Sequence, residues 1–174
     1  MPHVNPVPHE KYGMFLVEEN FRHFAYMGNT QKMQEILNDH PNLNINAQNE
    51  YGQTAFYLAC KSNQENTVDF LLAKNADIDI PTTLGNDALL MSTFNGNNPL
   101  VKKLIENGAN INARTSRNRK DHAGVNAIGI AREQNNLALV EILENAALKN
   151  SKKTNPMFTS EPTEKNNTQI RPKS

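Results

Sequence analysis

Long apolar runs are missing from this sequence. No uninterrupted stretch approaches the roughly 18 residues that a membrane-spanning helix needs, so no membrane role is expected. Cysteine is nearly absent: Cys60 stands alone, no internal disulfide can form, and a reducing compartment suits the chain. Excess charge is absent as well. The 18 Lys plus Arg offset 18 Asp plus Glu, which removes any global attraction toward nucleic acid or an anionic membrane. The start, Met1-Pro2-His3-Val4-Asn5-Pro6-Val7-Pro8, has neither the basic beginning nor the apolar centre of a secretory leader, and a cytoplasmic location is expected.

The signatures of catalysis are missing too. His3, His9, His23, His40 and His122 fall in separate segments, with no pair at metal-ligand spacing and no C-x-x-C. There is no G-x-x-x-x-G-K and no G-x-G-x-x-G to cradle phosphates. No base is suggested beside Cys60, which reads as small helical filler rather than a nucleophile. The expectation is no enzyme, no metal and no cofactor. At 174 residues the chain is long enough for one domain with a useful core.

What is present is a repeat. Gly52-Gln53-Thr54-Ala55-Phe56-Tyr57-Leu58-Ala59 lines up with Gly85-Asn86-Asp87-Ala88-Leu89-Leu90-Met91-Ser92 at an offset of 33. Val68 and Val101, Ala76 and Ala109, and Ile78 and Ile111 share that offset. Gly124, Ala131 and Val140 repeat the mutual spacings of Gly52, Ala59 and Val68, and Gly124 follows Gly85 at an offset of 39, so six residues are inserted before this copy. A degenerate first copy ends at Leu43-Asn44-Ile45-Asn46-Ala47, with helices over 18–27 and 31–38.

Within each unit the apolar spacing predicts two short amphipathic helices separated by a turn at Asn29, Asn63, Gly96-Asn97 or Asn135-Asn136. One such pair cannot bury its apolar face alone, so the units must stack. Ala59, Ser92 and Ala131 mark crowded contacts, and Gly52, Gly85 and Gly124 fit turn positions of positive φ. Asn75 stands where Gly108 stands, as the usual second choice for a left-handed residue. Asn is used heavily along the whole chain, which base composition explains more readily than function. At the ends, Glu144 takes the place of Leu72 and Ile105, while Arg22 and His23 are placed toward water, as a solenoid's caps require.

These residues resemble the ankyrin repeat, whose pattern runs D-x-x-G-x-T-P-L-H-x-A, then V-x-x-L-L, then G-A-x-x-N-A. The resemblance covers roughly residues 14–148. It implies an all-α solenoid of about four helix-turn-helix units joined by β-hairpin-like loops, with units over 14–47, 48–80, 81–113 and 114–148 and an insertion at 114–120. Residues 1–13 are expected to be a flexible segment and 149–174 a disordered tail, rich in Pro, Lys, Thr and Asn. Ala55 and Ala88 depart from the pattern's Pro. Tyr57, Leu90 and Gly129 depart from its His, which loses a side-chain bond between neighbouring units.

The resemblance also implies where a ligand sits, namely on hairpin tips and the inner faces of the first helices. Carried over position by position, these are Glu50, Tyr51 and Gln53, then Thr83, Leu84 and Asn86 at the tips. On the inner helices they are Lys61 and Ser62, then Phe94 and Asn95, then Glu133 and Gln134. Tyr51, Leu84 and Phe94 stand out because the fold does not need apolar residues there. The insertion supplies a second candidate, a basic finger carrying Arg114, Arg117, Arg119 and Lys120.

The expected function is non-enzymatic: binding another protein through the concave face and hairpin tips, with the free chain monomeric. Two alternatives stand beside it. One is a secreted effector of an intracellular bacterium acting in the host cytoplasm, motivated by Asn richness and by Glu161 and Glu164 in a polar tail. The other is a nucleic-acid or phospho-ligand binder using the 114–120 finger, against which the neutral charge and lack of flanking aromatics argue.

Overall fold

A computed structural model describes residues 9–116 and 124–154 of the chain, and the side chains of 13–116 and 124–150. Eight helices run through the described residues in four pairs: α1 (His9–Met27) with α2 (Thr30–Asp39), α3 (Ala55–Lys61) with α4 (Glu65–Ala73), α5 (Ala88–Phe94) with α6 (Asn98–Glu106), and α7 (Ala127–Glu133) with α8 (Leu137–Thr154). The architecture is the all-α solenoid that the repeat implies. The first helices of the pairs stack in one row, α1 on α3 on α5 on α7, and the second helices line the back.

Local chemistry sets the helix boundaries. The side chains of Thr54, Asp87 and Asn126 each accept the backbone N–H three residues on, which satisfies an otherwise orphaned donor and starts α3, α5 and α7. Each pair then turns through one left-handed residue: Gly28 (φ 77°), Asn63 (φ 56°), Gly96 (φ 65°) and Asn135 (φ 54°). Asn29, Asn97 and Asn136 cap α2, α6 and α8 in the same way. Heavy Asn use thus has a local purpose, since Asn serves both as cap and as left-handed turn residue.

One continuous core runs the length of the stack. Ala59, Ser92 and Ala131, the small residues of the inner row, are wholly buried, as are Phe56, Leu89 and Ile130 beside them. The buried hydroxyls of Ser92 and Thr93 donate back to the carbonyls of Ala88 and Leu89, both at 2.8 Å, so they cost little. Cys60 is fully enclosed, and burial pushes its thiol up to about 12.

Three expectations need correction. α1 begins at His9, so residues 9–13 of the expected flexible segment are helical; Glu10 and Lys11 are good helix formers. α8 runs to Thr154, six residues into the expected tail, because no Gly or Pro interrupts the chain before Pro156. Residues 1–8 and 155–174 lie outside the described residues. Arg22, expected in water, is buried at 2% exposure. It stands six residues before Gly28, the register that Tyr57 holds before Asn63, and therefore points inward. Its guanidinium donates to Ala47 O at 3.1 Å and pairs with Glu19 at 2.6 Å, pinning α1 to the loop that leads into the next pair.

Candidate binding surface on the hairpin tips

Three loops link the pairs, and each closes through the same bonds. Asn49, Thr82 and Thr115 donate their N–H to the carbonyls of Gln53, Asn86 and Val125, at 3.1, 2.9 and 3.0 Å. The first two loops are tight. In the third the partner lies ten residues on, so the insertion is contained between Thr115 and Gly124. Arg114, expected in the basic finger, is instead part of its stem: it bridges Asn126 and donates to Gly124 O at 2.8 Å. Arg117, Arg119 and Lys120 lie outside the described residues.

Neighbouring tips are stitched by backbone bonds. Thr83 N donates to Tyr51 O and Ser116 N to Leu84 O, both at 3.0 Å. Gly52 and Gly85 make this possible. A methyl group on Gly52 would lie 2.6 Å from Thr83 N, and one on Gly85 would lie 2.6 Å from Ser116 N. With φ of 72° and 73°, both positions exclude other residues twice over, by conformation and by space.

The stitching leaves Tyr51 60% and Leu84 52% exposed on a rigid base. Between them lies a hollow of about 240 Å³ walled by Gln53, Tyr57, Thr82, Thr83 and Asn86. Five of the expected tip residues, Tyr51, Gln53, Thr83, Leu84 and Asn86, therefore come together, and Glu50 is exposed beside them. Asn86, expected at the surface, is 7% exposed; it contributes wall rather than contact because its backbone closes the tip from both sides. Tyr57 and Thr82 join the hollow without having been singled out. The signal for Tyr57 was its place at the pattern's His, where its hydroxyl reaches Met91 Sδ of the next pair at 3.2 Å, so a bond between units persists there.

The inner-helix candidates separate from this group. Lys61, Asn95 and Glu133 are exposed, but they sit at the far ends of seven-residue helices, about 10 Å from the tips. Asn95 is committed to the array, donating to Cys60 O, Lys61 O and Asn63 Oδ1 at 3.1–3.3 Å. Phe94, expected to be exposed, is half-buried against the core. It shares a register with Lys61 and Glu133, which are exposed, but its apolar ring packs against the core.

Among the described residues no three His, Cys, Asp or Glu side chains cluster as metal ligands, and no helix is long and apolar enough to cross a membrane. Asp87, the cap of α5, has its carboxyl raised to about 6 by burial, with Asp79 adding to the effect, and its side chain accepts the N–H of Leu90.

The family model described as ankyrin repeats, three copies, matches residues 21–115. The chain belongs to the ankyrin-repeat family. The ankyrin repeat and SAM domain-containing protein 6 of Rattus norvegicus is 36% identical over 93 residues, which is 53% of this chain and 10% of that protein. The NF-kappa-B p105 subunit of the same species is 31% identical over 99 residues, 57% of this chain and 10% of that one. An ankyrin repeat protein of fowlpox virus is 31% identical over 93 residues, 53% of this chain and 27% of that one. The likeness to each relative is thus confined to a minor part of its length. Ankyrin repeats are generally protein–protein interaction modules and typically non-enzymatic. The fourth helix pair, beyond the matched residues, continues the same ankyrin geometry through Asn126, Ala131 and Asn135.

Proposed function

We propose that this chain binds another protein through its hairpin-tip edge, with Tyr51 and Leu84 as anchors and the hollow between them receiving an apolar side chain of the partner. The observation that carries the reading is the exposure of two large apolar side chains on a base held rigid by backbone bonds. Such pre-organisation lowers the entropy lost on binding, and aromatic or aliphatic anchors in partly enclosed settings supply most interface energy, about 2 kcal/mol each. Glu50, Gln53 and Thr83 form the polar rim. Lys61 and Glu133 reach a partner only if it also spans the concave face. A cytoplasmic setting and a free monomer belong to the same proposal.

The test is a capture experiment from cell lysate, comparing wild type with a Tyr51→Ala/Leu84→Ala variant of unchanged helical signal. A bound protein that the variant loses supports the tip edge. A protein held equally by both sinks it.

A further inference from the structure

The outer helices do not close their seams alike. Between α4 and α6, Lys103 Nζ reaches both carboxylate oxygens of Asp69, at 2.7 and 2.8 Å. Between α6 and α8, Asn98 and Asn136 tie the beginnings of the helices at 2.9 Å. Further along, the seam opens into a groove of about 670 Å³. Its floor is Ile105, Ile142 and Ala146, and its rims carry Lys102, Glu106 and Lys149. α6 ends at Glu106, whose counterpart in α8 is Asn145, yet α8 continues for nine more residues, about 13 Å.

We propose that this groove is the docking site of the chain's own segment 155–161, with Met157 and Phe158 seated on Ile105, Ile142 and Ala146 and Glu161 beside Lys149. Four features choose this occupant. Asn155-Pro156 cannot prolong α8, since Pro lacks the N–H and disfavours helix in the residue before it. Reach suffices: Phe158 is four residues past Thr154, about 13 Å when extended, and Ala146 lies eight helical residues back, about 12 Å. Met157 and Phe158 are adjacent apolar side chains followed by Glu161 and Glu164, an order that matches an apolar floor beside Lys149. Of the rim lysines, Lys102 leans toward Glu106 at 4.0 Å, whereas Lys149 has no carboxylate within ion-pair distance among the described residues. A docked segment would cover the back of the last unit, the kind of polar cover that the end of a solenoid requires.

The test uses the full chain with a nitroxide on Ser160→Cys. Buried Cys60, its thiol raised to about 12, does not compete for the label. The expected result is loss of the amide resonances of 102–106 and 142–149, and their return when Met157→Ser and Phe158→Ser are added. These two substitutions lie beyond α8, so the array stays folded. Unchanged resonances in the first sample, or losses that persist in the second, overturn the proposal. A mixture of isotope-labelled chain with spin-labelled, isotope-free chain separates sources. Losses in that mixture show a second copy in the groove and also overturn it, while losses confined to the single chain uphold it.

Discussion

The two long edges of the array face the same problem and solve it with different atoms. Both must join each helix pair to the next. At the turn edge the joints are side chains: Ser62 Oγ donates to Tyr26 O at 2.8 Å, Asn95 Nδ2 to Lys61 O at 3.1 Å, and Gln134 Nε2 to Phe94 O at 2.9 Å. These three residues occupy one position in successive units. At the tip edge the joints shared by successive units are backbone, Thr83 N to Tyr51 O and Ser116 N to Leu84 O, with Thr83 Oγ1 adding a second bond to Tyr51 O at 3.1 Å. A side-chain joint commits the residue that makes it, whereas a backbone joint leaves the side chain free. The turn edge is therefore structural, and the tip edge is where this fold has residues to spare.

Glycine substitution gives the largest expected difference between the edges. Gly85→Ala must adopt φ 73° and push Ser116 away, breaking the tip joint, and should cost about 3 kcal/mol or more. Gly96→Asn at the turn edge has the same handedness but open space around it, and Asn already serves at 63 and 135 with φ of 56° and 54°. Its cost should be about 0.5 kcal/mol or less. Urea unfolding of both variants measures this, and equal losses would mean that tip packing adds nothing to conformation.

Next in size is the cap of α5. Its folded carboxyl titrates near 6, above the usual 3.8, so between these values the folded chain holds more protons than the unfolded one. By linkage, Asp87 makes stability fall as pH rises from about 4 to 6, by at most about 3 kcal/mol. This is opposite to a carboxylate stabilised by an ion pair. Asn126 fills the same position in the next unit and caps α7 at 3.0 Å without a charge. Asp87→Asn should accordingly stabilise the protein by about 2 kcal/mol at pH 7 and by almost nothing at pH 4. Urea midpoints of the two proteins compared across that range show whether the gap opens with rising pH.

How far the sequence foretold this arrangement depended on whether a position answers to the repeat or to its neighbours. The 33-residue offset placed the small inner residues Ala59, Ser92 and Ala131 and the left-handed residues Gly52, Gly85 and Asn75 correctly, because stacking and backbone conformation recur in every unit. Arg22 was placed toward water by the need for a polar cap, although counted from the turn residue it falls on an inward position. Phe94 and Asn86 failed because exposure at a given register depends on what each side chain can reach, which periodicity does not record. The pairing of Tyr51 with Leu84 was legible as two exposed apolar residues at an offset of 33; the hollow between them, and the part played in it by Tyr57, were not.

A smaller effect tests the turn edge directly. Asn95→Ala removes bonds to Cys60 O, Lys61 O and Asn63 Oδ1 and should destabilise the array by about 1–2 kcal/mol, read from urea midpoints. Partner capture should be unchanged, since the residue's donors already point into the array. A variant that keeps its stability but loses the partner would transfer Asn95 to the binding surface and dissolve the division between the edges.

The smallest effect on stability belongs to the residues with the largest proposed effect on binding. Tyr51→Ala and Leu84→Ala each keep the carbonyl that accepts the next tip's N–H, and both side chains are more than half exposed, so each should shift stability by no more than about 0.5 kcal/mol. The two positions lie on adjacent tips around one hollow, so their losses in affinity should couple: the double variant should lose less than the two single losses combined. Titrating a captured partner against all four proteins gives that coupling. Full additivity would mean that Tyr51 and Leu84 contact the partner separately, and the hollow between them would then have no part in recognition.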